Sequence, residues 1–356
     1  MRKTAIACGA IGVVLLVAAG LMAWWITPSY IARVPSNYNK TRTYDGTLRS
    51  VLNPAALASG NLSAAIRTGV PATLSDNVKV QQTSGNTALV QDTRTLTAGG
   101  SKLGTTIAHY AVNRQTLQAT SSHPSSWSVV PASGLTVNWP FGAKQQNYNL
   151  WVTQTSTTTP LKYVRQAQQG GINTYQYQAT VPPARIKHAQ ALAGLPKSIP
   201  VSLLPRLTAA GIVSSSQAAA LGKAFPGATA IPLGYTYQAS NTYWIAPATG
   251  LVVNVSSNET EMGGIAMPTG KVIPLVPVLS DTFHASPASL SAAVSDAKNG
   301  SSVISTWGVW VPIAAAAVGF VLVVAAVLLW IFGRSRGRPV AVSSGERQPS
   351  PAGHRG

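Results

Sequence analysis

The sequence predicts an α+β membrane protein in which two terminal transmembrane helices flank a mostly antiparallel β domain, a barrel or a sandwich, with a helical insertion. Three observations predict this class. Long apolar runs lie at both ends of the 356-residue chain, alternating polar and apolar residues fill most of the interval, and an alanine- and leucine-rich stretch interrupts that alternation. Charged residues make up only 10% of the chain, which is low for a soluble globular protein.

The two apolar runs predict transmembrane helices. Thr4 to Ile26 carries no charge over 23 residues, and Trp307 to Phe332 carries none over 26. A helix needs about 20 residues to cross a bilayer core. Tryptophans close the first run and flank the second, as at membrane interfaces. The alternative, a buried core helix, would need a much larger protein around each run.

Basic flanks predict the orientation of both helices. Arg2 and Lys3 precede the first run, and three arginines follow the second, so both termini are expected in the cytoplasm of a two-pass plasma-membrane protein. The predicted order is a cytoplasmic N-terminus (1–3), a first transmembrane helix (4–26), an extracytoplasmic β-rich domain (27–305), a second transmembrane helix (306–333) and a basic disordered cytoplasmic tail (334–356).

Two processing alternatives remain for the N-terminal run. A basic start and an apolar run also suit a cleaved signal peptide, with Ala18-Ala19-Gly20 as small residues for cleavage. The run continues to Trp25, however, which favours an uncleaved anchor. A lipoprotein is disfavoured because Cys8 precedes most of the apolar residues. Cys8 is the only cysteine, so the outer domain has no disulfide, which favours a bacterial envelope.

The outer domain is basic. Residues 27–305 contain 19 Lys and Arg against 7 acidic residues, a net charge of +12. The basic residues are scattered, whereas nucleic-acid binding favours a stripe or a motif, and this class is excluded. The charge favours attraction to anionic lipid head groups or wall polymers, or simply a basic solvated surface.

Alternation with period two predicts strands in several blocks along the domain. Between about 184 and 226 the composition changes to alanine and leucine, which predicts a helical insertion with pieces at 186–193, 202–210 and 214–225, the last capped by serines. A membrane-proximal helix is predicted from Ser286 to about Lys298, ended by Asn299-Gly300. The predicted strand blocks are 44–118, 135–181, 234–255 and 270–279.

Small residues at four-residue spacing predict contact between the two apolar helices. Ala19 and Ala23 have this spacing in the first run, and Ala315 and Gly319 have it in the second.

Residues that could carry chemistry are few, and we predict no catalytic, cofactor-binding or metal-binding residues. The outer histidines are distant from one another, and no nucleophile elbow is present. Glu259 and Glu261 share one face of a strand, so they could form an acid pair or bind a cation; the alternative is a solvated strand edge. The glycine-rich segment 98–106 lacks the lysine of a phosphate loop and is read as a hairpin turn. The histidines are His109, His123, His188 and His284.

The clearest hairpin is NTYWIAPATGLVVNV, Asn241 to Val255. Pro247 suits the start of a type I turn, and Gly250 suits a left-handed exit. Its aromatic side chains are read as one wall of a β core, and a binding surface is expected in the domain interior or the helical insertion.

Three motifs carry a resemblance to a known family. The pattern Trp-x-x-Pro-x-Thr-Gly-x-Val-Val at 244–253, NWPFGAKQQNYNLW at 138–151 and AVNRQT at 111–116 resemble the actinobacterial porin PorA family, over nearly the whole chain. Where that family tends to have acidic residues, this chain has Asn113 and Ala246. The family name implies a pore, but polar strands beside two apolar helices do not suit a simple transmembrane β-barrel.

The predicted function is that of a non-enzymatic cell-envelope protein whose outer domain binds or guides a lipid or an anionic envelope component. The arrangement of a β framework with a helical insertion between two terminal spans is like that of class B scavenger receptors. A pore or channel component is the alternative, and an envelope hydrolase using Glu259 and Glu261 is the second alternative.

Overall fold

The computed structural model describes residues 2–335 and divides them into two compact units, a helical unit of residues 2–27 and 305–335 and a β unit of Pro28–Ile304. Most of the predicted tail, residues 336–356, lies outside the described residues. The helices are α1 (Arg2–Leu21), α2 (Pro54–Ala58), α3 (Leu204–Ala209), α4 (Ser215–Ala224), α5 (Pro287–Ser305) and α6 (Val311–Ser335), with π-helical segments at Met22–Ile31 and Thr306–Trp310.

The helical unit consists of α1 and α6, which run antiparallel and in close contact. Gly12 and Gly319 make this approach possible, because a Cβ added to either would lie 2.7 Å from the carbonyl oxygen of the other. Thr27 Oγ1 donates to the Trp307 carbonyl at 3.1 Å. The predicted contact at Gly319 is confirmed, but its partner is Gly12. Both helices are apolar and long enough to cross a membrane.

The β unit contains one 12-stranded antiparallel sheet. The strand order is β5-β4-β3-β1-β12-β11-β10-β8-β7-β6, with β2 beside β1 and β9 beside β10. The strands are β1 (Asn39–Leu52), β2 (Ile66–Arg67), β3 (Val70–Ser84), β4 (Thr87–Ala98), β5 (Ser101–Asn113), β6 (Tyr148–Val152), β7 (Thr157–Gln169), β8 (Ile172–Arg185), β9 (Ser198–Pro200), β10 (Ala230–Ala246), β11 (Leu251–Ala266) and β12 (Val272–Ala285).

This sheet curves into a half-barrel, and short backbone bridges join its two edges. Val112 of β5 bridges to Ala119, Gln118 bridges to Leu135, and Leu135 bridges to Leu150 of β6. The two edge strands are therefore linked at one end through the segment that connects them in sequence. The predicted α+β class is confirmed; of the two alternatives for the β domain, the sandwich is wrong because the strands form a single sheet.

The predicted helical insertion contains two short helices and one short strand. Helix α4 begins after Ser214, whose side chain accepts from Gln217 N at 3.1 Å while Gln217 Oε1 accepts from Ser214 N at 2.8 Å. Helix α3 lies within the predicted piece 202–210. The predicted helix at 186–193 is wrong, because β8 continues to Arg185 and turns follow it. Strand β9, which the sequence did not reveal, pairs with the start of β10.

The helix predicted from Ser286 begins as expected but does not end at Asn299-Gly300. Helix α5 continues to Ser305, and Gly300 has a helical conformation within it. A Cβ at Gly300 would lie 2.8 Å from Thr249 Cγ2, so this glycine permits close packing on the β10–β11 turn instead of ending the helix. Lys40 and Arg42 of β1 pair with Asp296 of α5 at 2.9 and 2.6 Å.

A strand predicted to begin at Leu135 is also wrong. Residues 136–147 form an irregular segment before β6, and Pro140 and Gly142 within it disfavour a continuous strand. Trp139 in this segment is 2% exposed and Ala143 is also buried, so the segment reaches into the core at these two residues although it has no regular structure.

Candidate functional site

The inward face of the half-barrel encloses a cavity of about 140 Å³, which we call the polar cavity. Nine strands contribute to its lining, mainly through side chains that point inward. These strands are β1, β3, β4, β5, β6, β8, β10, β11 and β12, and the lining residues discussed below are Tyr44, Asp76, Arg94, Tyr237, Asn241, Tyr243 and Glu259. The segment 136–147 adds Trp139.

One side of the polar cavity carries an arginine held by two aspartates. Asp76 lies opposite Arg94 in the β3–β4 register, and Asp92 precedes Arg94 by two residues on the same face. Arg94 Nε lies 3.6 Å from Asp76 Oδ2 and 3.3 Å from Asp92 Oδ2. The Arg94 side chain is 44% accessible, and this surface faces the polar cavity that it lines. The cavity is therefore accessible to water.

The electrostatics of this cluster follow from burial and proximity. Burial, and then the neighbouring Asp92 carboxylate, raise the pKa of Asp76 to about 8. The same Asp92 raises the pKa of Arg94 further above its ordinary value, so the guanidinium stays charged. Among the described residues, Oδ1 of Asp76 and Oδ1 of Asp92 are buried without a hydrogen-bond donor.

Three more carboxyl groups lie on the inward face of β11 and β12. Glu259 lies directly opposite Asp281, and Glu261 follows Glu259 on the same face. Burial, and then Glu259 and Glu261, raise the pKa of Asp281 to about 8. Burial, and then Glu259, raise the pKa of Glu261 to about 7. The Asp281 side chain is buried, and its Oδ1 has no hydrogen-bond donor among the described residues.

The inward carboxyl groups contrast with the charge of the unit as a whole. Five of the seven acidic residues between 27 and 305 occupy inward positions, in a region with a net charge of +12. The exterior of the β unit is therefore basic, whereas its interior is acidic.

The three motifs that carry the family resemblance meet at one end of the polar cavity. Trp139 N donates to the Gly250 carbonyl at 3.0 Å, and Ala143 N donates to the Pro247 carbonyl at 2.8 Å. Phe141 N donates to the Gln115 carbonyl at 3.3 Å. Gly250 has a φ of +67°, and a Cβ there would overlap the Trp139 carbonyl oxygen. The motifs therefore form a scaffold that holds Trp139 against the hairpin.

A second, smaller cavity of about 90 Å³ lies farther along β10, and we call it the apolar pocket. The helical insertion covers it with aliphatic side chains such as Ile199, Leu207 and Ile212. From β10 it receives Leu233 and Tyr235, which lie on the same inward face as the residues of the polar cavity.

Comparison with known proteins identifies the family. The model of the family described as Porin PorA matches residues 4–328. The chain belongs to this family. No curated protein matches the chain.

Solved structures with some similarity to this PorA family chain are distant. A MaoC-domain dehydratase from Chloroflexus aurantiacus has 13% identity and a TM-score of 0.12, and the match covers 76% of this chain and 80% of the dehydratase chain. An acyl-CoA thioesterase II from Mycobacterium marinum has 12% identity and a TM-score of 0.12, and the match covers 69% of this chain and 80% of the thioesterase chain. A thioesterase II from Thermobifida fusca has 9% identity and a TM-score of 0.12, and the match covers 76% of this chain and 86% of the thioesterase chain.

The predicted site residues of this PorA family member are placed as follows. The reading of Glu259 and Glu261 as a solvated strand edge is wrong, because β11 lies between β10 and β12 and both carboxyl groups face inward. The hairpin turn predicted within 98–106 is confirmed at Gly99-Gly100. Among residues 2–335, no three His, Cys, Asp or Glu side chains are grouped to hold a metal ion.

The predicted hairpin from Asn241 to Val255 is confirmed, with a turn at residues 247–250. Its aromatic residues are not only core, because Tyr243 lines the polar cavity, where its ring packs at a tilt against Trp139 with the ring centroids 5.1 Å apart. Sequence reasoning missed Asp76, Asp92, Arg94 and Asp281. One signal in the sequence could have identified them. Acidic residues are rare in this domain, and these lie at positions where the alternation of the strand predicts an apolar, inward-facing side chain.

Proposed function

We propose that the chain is a non-enzymatic component of a pore in an actinobacterial cell envelope, in which the β unit forms a water-accessible vestibule for small polar solutes. The single observation that carries this proposal is the polar cavity, where a charged Arg94 side chain is 44% accessible inside the sheet. Membership of the Porin PorA family favours a pore over the lipid-binding function that the sequence first suggested.

The outward face of the sheet indicates that the strands themselves lie in water. Outward positions of β3 carry Thr73, Ser75, Asn77 and Lys79, where a transmembrane barrel would carry an apolar band. We therefore place the β unit outside the plasma membrane and assign the crossing to the apolar helices.

The helices α1 and α6 are proposed to cross the bilayer with both termini in the cytoplasm. Apolar side chains are exposed around both helices, as lipid contact requires, and the pair is antiparallel. The contact between Gly12 and Gly319 leaves no channel between the two helices of one chain. A conduction path across the membrane would therefore need several copies of the chain.

Planar-bilayer recording of the purified full-length chain tests this proposal. Stepwise ion conductance is expected, and Gly12→Leu should abolish it because the added side chain would separate α1 from α6. Gly20→Leu is a matched control on the same helix, since a Cβ at Gly20 has no heavy atom within 4 Å. A flat recording at high protein load would overturn the pore proposal.

A second candidate function, binding of a lipid or another envelope amphiphile, is favoured by the apolar pocket. Its aliphatic lining suits an alkyl group, and the basic exterior of the β unit suits an anionic head group or wall polymer. Mass spectrometry of lipids that co-purify with the native chain tests it. Ile66→Trp should fill the pocket and remove a bound lipid, whereas Ile107→Trp, at an exposed site, should not. Absence of any stoichiometric lipid from the native chain would count against this function.

A further inference from the structure

Glu259 lies in the wall of the polar cavity without a basic partner. Its Oε1 accepts a long hydrogen bond from Asn241 Nδ2 at 3.4 Å, and no Lys, Arg or His nitrogen among the described residues lies within 4.0 Å of its carboxylate. A carboxylate enclosed in a cavity is costly unless a positive charge compensates it. Glu259 is therefore a free counter-ion facing the cavity.

Aromatic rings surround the space next to Glu259. Tyr44, Tyr237 and Tyr243 line the cavity from β1 and β10, and Trp139 closes it from the segment 136–147. Aromatic faces attract cations within about 6 Å of the ring, and such rings combined with a carboxylate favour ammonium groups.

A separate observation is that acidic side chains outnumber basic ones on this part of the inward face: Arg94 is the cation that lines the polar cavity, against five inward carboxyl groups. Asp92 and Asp281 are each more than nine-tenths buried on the inward face, and each has a carboxyl oxygen without a donor among the described residues. Asp281 lies opposite Glu259 itself. Arg94 attracts Glu259 at longer range but forms no ion pair with it, because its Nε is paired with Asp76 and Asp92. One guanidinium therefore serves three carboxyl groups, and the cavity keeps an excess of acidic groups.

Basic groups on the neighbouring elements are also already engaged. Lys40 and Arg42 occupy inward positions at the end of β1, but both pair with Asp296 of α5. Arg49 of β1 donates to Asn258 and Ser280. The positive charge that Glu259 needs is therefore not supplied by these side chains.

We propose that the polar cavity binds a small organic cation, an amine or a quaternary ammonium group, with Glu259 as its counter-ion and Tyr44, Tyr237 and Tyr243 as its walls. This inference rests on the proposed function, because it names the class of solute that the vestibule receives. The size is suitable: a protein cavity of about 150 Å³ accepts a benzene molecule, which is comparable in size to a trimethylammonium group.

Thermal unfolding of the full-length chain in detergent tests this inference, with choline as the probe. Its neutral isostere 3,3-dimethylbutan-1-ol is the matched control ligand. Choline at millimolar concentration is expected to raise the unfolding temperature in a dose-dependent manner, and the alcohol is not, because only the cation gains from Glu259 and the rings.

Variants then locate the site. Glu259→Gln should weaken choline binding by about tenfold or more, since it removes the counter-ion and keeps the shape. Asp45→Asn, which changes an outward residue of β1, should leave binding unchanged. Tyr243→Phe should retain binding because the ring remains, and Tyr243→Leu should weaken it. Retained choline binding in Glu259→Gln, or equal shifts with choline and the alcohol, would overturn the inference.

The outcomes separate the inference from the proposed function. Choline binding by a chain that never conducts ions would support the cation site and remove the pore. Ion conductance without a choline-dependent shift would support the pore and overturn the cation site.

Discussion

The polar cavity and the apolar pocket lie on one inward face of the same sheet, yet they differ in chemistry. Along β10, Asn241 and Tyr243 line the polar cavity, whereas Leu233 and Tyr235 line the apolar pocket. The polar cavity contains charged side chains from three strands, β3, β4 and β11, and is accessible to water. The apolar pocket is covered by the helical insertion. The insertion therefore acts as an apolar cover over one part of the inward face, away from the charged side chains of the polar cavity.

The largest expected effect comes from removing the positive charge of the polar cavity. Arg94→Leu leaves Asp76 and Asp92 without their cation and should lower the free energy of unfolding by about 2–3 kcal/mol. The effect is below that of a fully buried pair because cavity water reaches Arg94. Denaturant unfolding at pH 8, followed by tryptophan fluorescence, measures it.

The double variant Arg94→Leu/Asp92→Asn should recover part of the loss, since it also removes an uncompensated charge. An Arg94→Leu chain as stable as the parent chain would show that the two aspartates do not depend on this arginine.

Stability should depend on pH through the polar cavity and its neighbouring carboxyl groups. The pKa of Asp281 is about 8 in the folded chain against an ordinary value of 3.8, so the folded state holds a proton that the unfolded state releases. This contribution is complete below about pH 4 and is lost as the pH rises through about 8. The free energy of unfolding should fall by about 2–4 kcal/mol between pH 5 and pH 9.

Asp281→Asn should weaken this pH dependence, because an amide does not titrate, but part of it should remain because Asp76 and Glu261 also have raised pKa values. Asp45→Asn should leave it intact. The measurement is denaturant unfolding at pH 5, 7 and 9. Greater stability at pH 9 than at pH 5 would contradict the prediction.

The apolar pocket should respond to loss of volume and not to pH. Leu207→Ala removes a buried side chain beside the pocket and should cost about 2–3 kcal/mol in local stability, equally at pH 5 and pH 9. Hydrogen exchange in α3 and α4 measures this loss. An equal increase of exchange in β3 and β4 would show that the two regions unfold together.

The smallest expected effect concerns the cover itself. Ser214→Ala removes the side-chain acceptor for Gln217 N and should destabilise α4 by about 1 kcal/mol. Faster amide exchange confined to residues 215–224 is the expected result, and Ser215→Ala, at an exposed position, is a suitable control for the loss of a serine near that helix end. Equal exchange in the two variants would show that the cap contributes nothing.

The sequence predicted the elements whose signals are local. The two uncharged runs, the Pro247–Gly250 turn and the Ser214 cap each depend on neighbouring residues, and all four are present in the structure. The irregular segment 136–147 was misread as a strand, because its backbone bonds to Gly250 and Pro247, more than 100 positions away. Local alternation carries no information about such a partner.

The candidate site was harder to predict for the same reason. Glu259 and Glu261 were recognised as a pair, but their position on a central strand depends on β10 and β12. Asp76, Arg94 and Asp281 come from separate strands, and only the sheet register brings them to one face. A sequence pattern identifies which side chains share a strand face, whereas the curvature of the sheet decides whether that face is enclosed.

The pairing of β1 with β12 has a consequence for the order in which the β unit forms. Tyr44, near the start of the unit, pairs with Ala285, near its end. While the chain is synthesised from its N-terminus, β1 can join β3 early, but its other edge stays open until β12 has been made. Contacts between such distant positions form slowly. Until then, the open edge of β1 exposes backbone groups that could pair with a wrong strand of the same or another chain. The addition of β12, the last strand, removes this edge and completes the enclosure of the interior.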